Sequence, residues 1–236
     1  MDPKIKKWRK DINTIKKQLG SLLLSQYFFY ETVEMVKKNP SLPQASTFFW
    51  WRDFIYAHAM SIGVRRFIDK DPRTISIANL LNDIKNNNRL LTQEYFAKYC
   101  TKSIKKKTDR EARFEEKFGQ RSKFIQKKFI EEHIKTIEKI SKRIKKFTDK
   151  RVAHLDRNQS GVNNINYGML DDSLAELEKI IIEWQFLLKG INYMTLRASV
   201  TDNWKRLFTS PWITPPNSTN ASQQPCSSEH LSTSGK

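Results

Sequence analysis

Helix-breaking residues are scarce in this chain of 236 residues, which contains only 7 Gly and 8 Pro. A sheet of many short strands needs frequent turns, and turns depend heavily on these two residues. The scarcity therefore argues against such a sheet and predicts an all-α protein. With 38% hydrophobic residues, the chain is long enough to bury one sizeable core.

Cysteines and long apolar runs are also few. Cys100 and Cys226 cannot form a disulfide framework, and no Cys/His cluster has the spacing of a zinc site. No Gly-rich phosphate loop occurs, so the sequence predicts neither a metal nor a cofactor. The longest apolar stretch, 22–30, is too short to cross a bilayer, and the basic amino terminus lacks the apolar region of a signal peptide. We expect a cytoplasmic protein with no membrane partner.

Acidic residues are outnumbered, with 25 Asp and Glu against 43 Lys and Arg and a formal net charge of +18. Residues 101–151 alone contain nineteen basic and eight acidic residues. Such a concentration of cations binds polyanions by releasing their counterions, so RNA is the expected partner. A lysine-rich helix is also a common solvated surface, and the composition leaves this alternative open.

Hydrophobic residues recur at helical spacing through most of the chain. The third predicted helix has an apolar stripe that is most simply explained as core. Its members are Phe48, Trp51, Ile55, Ala59, Ile62 and Phe67. The two longest carboxy-terminal helices also have apolar stripes, and we expect them to pack antiparallel in a helical bundle. The predicted helices cover about 4–18, 21–38, 47–69, 77–86, 92–99, 121–146 and 169–193, with a mixed helical and irregular segment over 102–119.

The composition changes after about residue 208. Residues 214–236 contain six Ser, three Thr, three Pro and no aromatic residue. Too little apolar surface is available there to offset the entropy of ordering the chain. The predicted organisation is a helical domain over 1–208 and a disordered tail over 209–236.

His154 is the histidine with the most plausible chemical role. It follows a basic helix, with Arg151 and Lys150 three and four residues before it, so that all three share one face if the helix continues. Imidazole exchanges protons near neutral pH, and the two cations can hold a phosphate beside it. Asp149 and Asp156 are the carboxylates that can orient the imidazole, although each can equally serve as a surface ion-pair or capping residue.

Two other histidines are assigned to the fold. His58 is expected to be a hydrogen-bonded histidine of the core or of a cleft. His133 lies between glutamates and lysines, which predicts an exposed position. Three lysines at the end of the long basic helix, Lys142, Lys145 and Lys146, are the predicted RNA contacts.

Three blocks of sequence resemble the HEPN superfamily, and within it the abortive-infection AbiU-like branch. They are 62–71 (IGVRRFIDKD), 74–84 (TISIANLLNDI) and 149–156 (DKRVAHLD). The resemblance covers roughly residues 10–193. It implies a helical bundle, commonly a homodimer, in which an arginine-to-histidine motif from each copy lines a cleft and cuts RNA without a metal. Arg65 and Arg66 of the first block are further candidates for contacts in that cleft.

The chain departs from the family motif at one point. The motif places an arginine at a position corresponding to 147–149, where this chain has Phe147, Thr148 and Asp149. Arg151 and Lys150 are then the cations left to hold the phosphate.

Two hypotheses follow from the resemblance. The first is a metal-independent RNA endonuclease of a phage-defence or toxin–antitoxin system, restrained by an antitoxin or other regulatory protein. The second is a catalytically inactive helical protein that binds RNA or a protein partner.

Overall fold

A computed structural model describes residues 1–42, 46–99, 107–119, 122–147 and 167–209. Within these ranges the protein is all-α, and the only β-type pairing is an isolated bridge between Thr92 and Phe124. The all-α prediction is confirmed. The α-helices are α1 (Pro3–Lys37), α2 (Thr47–Ile68), α3 (Ile77–Asn86), α4 (Gln93–Tyr99), α5 (Lys107–Phe118), α6 (Lys127–Phe147) and α7 (Tyr167–Lys189).

α1 is a single helix of 35 residues, where the sequence predicted two. Asp2 begins it, because its carboxylate accepts a hydrogen bond from the backbone N–H of Lys4 at 2.7 Å. The predicted interruption between residues 18 and 21, which contains Gly20, is absent. The buried stripe continues through Gly20 in register, and this packing outweighs the roughly 1 kcal/mol that a helical glycine costs. The buried apolar residues of α1 are Ile5, Trp8, Ile12, Ile15, Leu19, Leu23 and Phe29.

α7 lies antiparallel against α1. Near one end of the contact, Gln185 donates to the backbone carbonyl of Ile12 at 2.9 Å and Arg9 donates to that of Leu188 at 2.9 Å. α7 ends before Gly190, whose positive φ of 73° and N–H bond to the carbonyl of Phe186 close the helix. The predicted end at residue 193 was therefore too late.

α2 packs antiparallel to α1, but its buried side is not the predicted one. Tyr56, Met60, Val64 and Phe67 are buried. Phe67 belongs to the predicted stripe, and its burial was predicted correctly. The other members of that stripe, Phe48, Trp51, Ile55, Ala59 and Ile62, face solvent. The spacing was helical, but it identified the outer side of a helix that is apolar on both sides.

α6 covers α2 and α3. Ion pairs join Lys70 to Glu138 at 3.1 Å and Lys85 to Glu131 at 2.9 Å. α6 also contacts α7 in the predicted antiparallel arrangement. Ser76 begins α3 by accepting from the N–H of Asn79 at 3.0 Å, and the capped helix of the second sequence block is thereby confirmed.

Residues 1–198 form one compact unit, and residues 199–236 belong to a second. The described part of the second unit contains a 3₁₀-helix, Trp204–Phe208, in which Trp204 packs edge-on against Phe208. The tail from residue 210 onward, predicted to be disordered, lies outside the described residues. Within the described residues, no helix combines the length and hydropathy needed to cross a membrane.

We predict opposite effects for alanine at two helical glycines. A Cβ on Gly63 would lie 2.6 Å from a methyl group of Leu22, whereas a Cβ on Gly20 meets only the carbonyl oxygen of Leu196 at 3.8 Å. Gly20→Ala should raise the free energy of unfolding by about 0.5–1 kcal/mol. Gly63→Ala should lower it by about 1–3 kcal/mol, because α1 and α2 must move apart or Leu22 must leave its rotamer.

Urea unfolding of both variants measures this difference. Equal stabilisation by the two alanines would contradict the close approach of α1 and α2. Adding Leu22→Ala to Gly63→Ala removes the clashing methyl groups, so the double variant should be more stable than the sum of the single effects predicts.

Candidate nucleic-acid site at the α6–α7 connection

The predicted catalytic residues all lie between α6 and α7. His154, Arg151, Lys150, Asp156 and Asp149 fall within 148–166, outside the described residues. The structure describes the two helix ends that flank these residues, since α6 ends at residue 147 and α7 begins at residue 167. Both ends of the connection carry features that bear on RNA chemistry.

A line of exposed lysines runs along α6 toward this connection. Lys128, Lys135, Lys139 and Lys142 are three, four or seven residues apart and therefore share one helix face. The line spans about 21 Å at 1.5 Å per residue. α6 as a whole contains eight basic and three acidic residues. Glu131 and Glu138 pair with Lys85 and Lys70, which lie outside α6. Glu132 is exposed on the same face as the four lysines, between Lys128 and Lys135, so the lysine face carries a net charge of +3.

The other predicted RNA contacts have different positions. Lys145 and Lys146 belong to the last turn of α6, and their side chains are outside the described part of the chain. Arg65 is half-buried and lines a cavity of about 310 Å³ with Ser141 of α6. Arg66 is exposed. The structure thus brings Arg65 beside α6, about two turns before its end.

At the α7 end, a buried polar group lies one turn into the helix. Asp171 accepts hydrogen bonds from the amide of Gln26 and, at 2.5 Å, from the hydroxyl of Tyr30. Arg197 donates to the amide oxygen of Gln26 at 2.9 Å. Tyr56 completes this Asp171 cluster, although its buried hydroxyl has no hydrogen-bond partner within the described residues.

The Asp171 cluster holds its tyrosines in the neutral form. Burial, the hydrogen bond to Asp171 and the charge of that carboxylate raise the pKa of Tyr30 well above its usual value of about 10. Burial, followed by the same charge, raises the pKa of Tyr56. Both phenols therefore keep their protons at neutral pH and do not act as bases there.

Aromatic rings join the Asp171 cluster to the start of α7. Tyr167, the first residue of α7, packs against Phe29 with ring centroids 5.2 Å apart and against Tyr56 at 5.8 Å. Arg52 of α2 lies beside this group and pairs with Asp53 at 2.6 Å. Its Nη1 is buried without an acceptor among the described residues. The end of the 148–166 connection is therefore fixed by packing against α1 and α2.

The sequence did not reveal the Asp171 cluster, because its members come from three helices and a loop and match no motif. The available signal was weak. Tyr167 and Asp171 are one helical turn apart and are the first tyrosine and the first aspartate that follow the predicted motif in sequence.

His133 is half-buried, with 16% of its side chain exposed, contrary to its predicted exposure. Trp184 donates its indole N–H to Nδ1 of His133 at 3.0 Å, and Nε2 of His133 lies 2.9 Å from a carboxylate oxygen of Glu183. Burial favours neutral Glu183, but hydrogen bonds from His133 and Lys117 outweigh burial and hold the pKa of Glu183 below its usual range. Both ring nitrogens of His133 are thus occupied, and its role is to satisfy a buried tryptophan.

The second histidine outside the connection, His58, contacts its own helix. Its Nδ1 lies 2.8 Å from the carbonyl of Phe54, and its ring packs on the Phe54 ring at 3.9 Å. This agrees with the expectation of a hydrogen-bonded histidine, although the rings lie on the outer side of α2.

We predict that the Asp171 cluster makes the fold sensitive to alkaline pH. A folded-state pKa above 10 means that the folded protein holds these phenolic protons more tightly than the unfolded chain does. The resulting stability is complete below pH 10 and is lost as the pH rises further. Asp171→Asn should lower the free energy of unfolding at pH 8 by about 1–3 kcal/mol and should flatten its fall between pH 10 and 11.

Urea unfolding at several pH values measures this effect. Asp172→Asn is the matched control, because Asp172 is the adjacent and exposed carboxylate. Equal pH profiles for the two variants would show that Asp171 does not set the proton affinity of the tyrosines.

Comparison with known proteins identifies the family to which this chain belongs. The model of the HEPN AbiU2 family matches residues 5–207. No curated protein and no solved structure matches the chain. The match covers most of the chain and contains the three sequence blocks, the lysine face of α6 and the Asp171 cluster. The chain belongs to the AbiU2 family of HEPN proteins, the abortive-infection branch of that superfamily.

Proposed function

We propose that this protein binds RNA along the lysine face of α6 and cleaves it, without a metal, at the segment that contains His154. The observation that supports the proposal is the course of the lysine face. It runs from Lys128, near the start of α6, to Lys142, seven residues before the predicted motif begins at Asp149. A single-stranded RNA held on this face by its phosphates would extend toward the imidazole.

The proposed reaction follows from the groups in the connection. His154 takes the proton of a ribose 2′-hydroxyl, and the 2′-oxygen forms a bond to the adjacent phosphorus. Arg151 and Lys150 stabilise the charge of the pentavalent phosphorane. The bond to the 5′-oxygen then breaks, and the protonated His154 gives the proton that it took from the 2′-hydroxyl to that oxygen. The products are a 2′,3′-cyclic phosphate and a 5′-hydroxyl end.

Carboxylates and tyrosines have supporting roles in this proposal. Asp149 or Asp156 orients the imidazole and selects its tautomer. The Asp171 cluster fixes the point where the connection joins α7, so it limits the positions open to His154. It touches no substrate atom in this scheme and is a positioning element.

A second candidate function is supported by the departure from the family motif. No arginine occupies 147–149, so no motif cation is available for the phosphorane. In this alternative the protein binds RNA on the same lysine face, or binds an antitoxin or other regulatory protein, and does not cut.

The lysine face can be tested by salt dependence. Lys135→Gln, Lys139→Gln and Lys142→Gln together should reduce the slope of log K against log salt concentration by about 2, since each phosphate contact on a single strand contributes roughly 0.7. Fluorescence anisotropy with a labelled single-stranded RNA in EDTA, at several KCl concentrations, gives the slope.

A matched control removes the same charge elsewhere. Lys6, Lys10 and Lys17 are exposed and share one face of α1. Their triple replacement by Gln should leave the slope nearly unchanged. Equal slopes for the two triple variants would mean that net charge, and not the α6 face, binds RNA.

Cleavage is tested on His154. We expect the full chain to cut mixed RNAs in EDTA, His154→Ala to abolish cleavage, and Arg151→Ala to reduce the rate while leaving some activity. His230→Ala is the control for histidine loss outside the motif and should cut normally. Gel analysis with end-group mapping identifies the cyclic phosphate.

Three outcomes separate the hypotheses. Binding without any cleavage by the wild-type chain would favour the binding-protein alternative. Unfolding of His154→Ala, seen by circular dichroism, would make His154 a structural residue. Activity retained by a folded His154→Ala variant would contradict the proposed base.

A further inference from the structure

A polar cavity of about 960 Å³ lies where α1 and α6 begin and α3 ends, which is the end of α6 remote from the 148–166 connection. Sites for small ligands commonly enclose about 300–1,000 Å³, so a unit of the size of one nucleotide fits. We call this space the α6-start cavity. The lining residues that decide its chemistry are Lys4, Asn86, Arg89, Phe124 and Lys127.

Cations outnumber carboxylates in the α6-start cavity. Three cations and one carboxylate line it, and the carboxylate, that of Asp2, accepts from the backbone N–H of Lys4 at 2.7 Å. The ammonium of Lys4 donates to the side chain of Asn87 at 2.7 Å. The side chains of Arg89 and Lys127 are exposed and make no hydrogen bond or ion pair with another described residue. Two cations are therefore free to contact an anion.

An aromatic ring accompanies these cations. Phe124 is half-buried, and its backbone pairs with that of Thr92. The next residue, Ile125, is held by a hydrogen bond from the amide of Asn88 to its carbonyl at 2.7 Å. Sites for single-stranded nucleic acid combine cations that contact phosphates with rings on which bases stack. The exposed amide of Asn86 can both donate to and accept from a base edge.

The α6-start cavity adjoins the lysine face of α6. Lys127 directly precedes Lys128, the first lysine of that face. A strand whose phosphates follow the face toward the start of α6 therefore reaches the cavity. The 21 residues of α6 extend about 30 Å. A stacked strand advances about 3.4 Å per nucleotide, so the length of α6 holds roughly nine nucleotides.

We propose that the α6-start cavity binds one nucleotide of the RNA strand that lies on the lysine face, at the end of the face remote from His154. Arg89 and Lys127 contact its phosphate, and its base stacks on Phe124. The inference rests on the proposed RNA binding, although not on cleavage. Two attachment places on one strand act as linked binding sites, so the cavity tightens binding to the whole face.

The cavity cations are tested by salt dependence in the full-length chain. The probe is a labelled oligouridylate of about 14 nucleotides, longer than the roughly nine that α6 spans. Its riboses are 2′-O-methylated, so it lacks the hydroxyl that cleavage needs. In fluorescence anisotropy, Arg89→Gln with Lys127→Gln should lower the slope of log K against log salt concentration by about 1.4, or roughly 0.7 for each lost phosphate contact.

A matched double variant controls for net charge. Lys10→Gln with Lys17→Gln removes the same charge from exposed positions of α1 and should leave the slope nearly unchanged. Arg89 and Lys127 are exposed, so their replacement should not disturb the fold, and urea unfolding checks this.

The ring of Phe124 is tested separately. Phe124→Leu should weaken binding roughly fivefold or more, because a base loses its stacking partner. The salt slope should not change, since no phosphate contact is lost. Phe48→Leu, at a ring that is 61% exposed on α2, is the control and should bind normally. If Phe124→Leu is unstable, the cation variants still decide the question.

The outcomes separate this inference from the proposed function. A wild-type chain that does not bind the probe would refute both. A slope lowered by the α6 lysine variants but not by Arg89→Gln with Lys127→Gln would refute the cavity alone. Cavity variants that bind RNA normally but lose binding to poly-glutamate would assign the cavity to an acidic protein and overturn the inference. Expected variant effects in a chain that cuts no RNA would support the cavity and refute the nuclease.

Discussion

The antiparallel contact between α1 and α7 is the interaction on which the rest of the structure depends. Trp8 and Trp184 are fully buried in the core that this contact helps to form, and hydrogen bonds from Arg9 and Gln185 hold its far end in register. Because α1 is continuous over 35 residues, that register extends to Asp171 at the near end. The position of the α7 amino terminus, and hence of the segment that precedes it, follows from packing some 25 Å away along the helix.

In α2, hydrophobic periodicity predicted the helix but not which of its sides is buried. The helix and its bounds were predicted within one residue, because Ser46 caps its start and Asp69 follows its last turn. Its buried side was predicted wrongly, since apolar residues occur on both sides and spacing alone cannot say which side meets α1. Gly63 held the missing information, because a helical glycine permits the close approach that only the inner side makes.

In the candidate site, too, some features could be predicted from the sequence and others could not. Lys142 was predicted as an RNA contact from local charge, and its exposed position on α6 agrees with that prediction without testing it. The burial of His133 and the Asp171 cluster could not be predicted, because the partner of each lies 50 or more residues away in sequence. Local sequence determines helix faces and charge, but burial of a polar side chain depends on what a distant helix brings to it.

Charge is segregated on this bundle, and packing helps to segregate it. α6 carries eight basic and three acidic residues, whereas between residues 47 and 62 α2 carries only Arg52 and Asp53, which pair with each other. Glu131 and Glu138 of α6 pair with Lys85 and Lys70, so two of the three carboxylates of α6 are directed to neighbouring segments while the lysines of its lysine face remain exposed. A polyanion gains counterion release only where cations cluster, so the proposed RNA surface is a consequence of how α6 packs as well as of its composition.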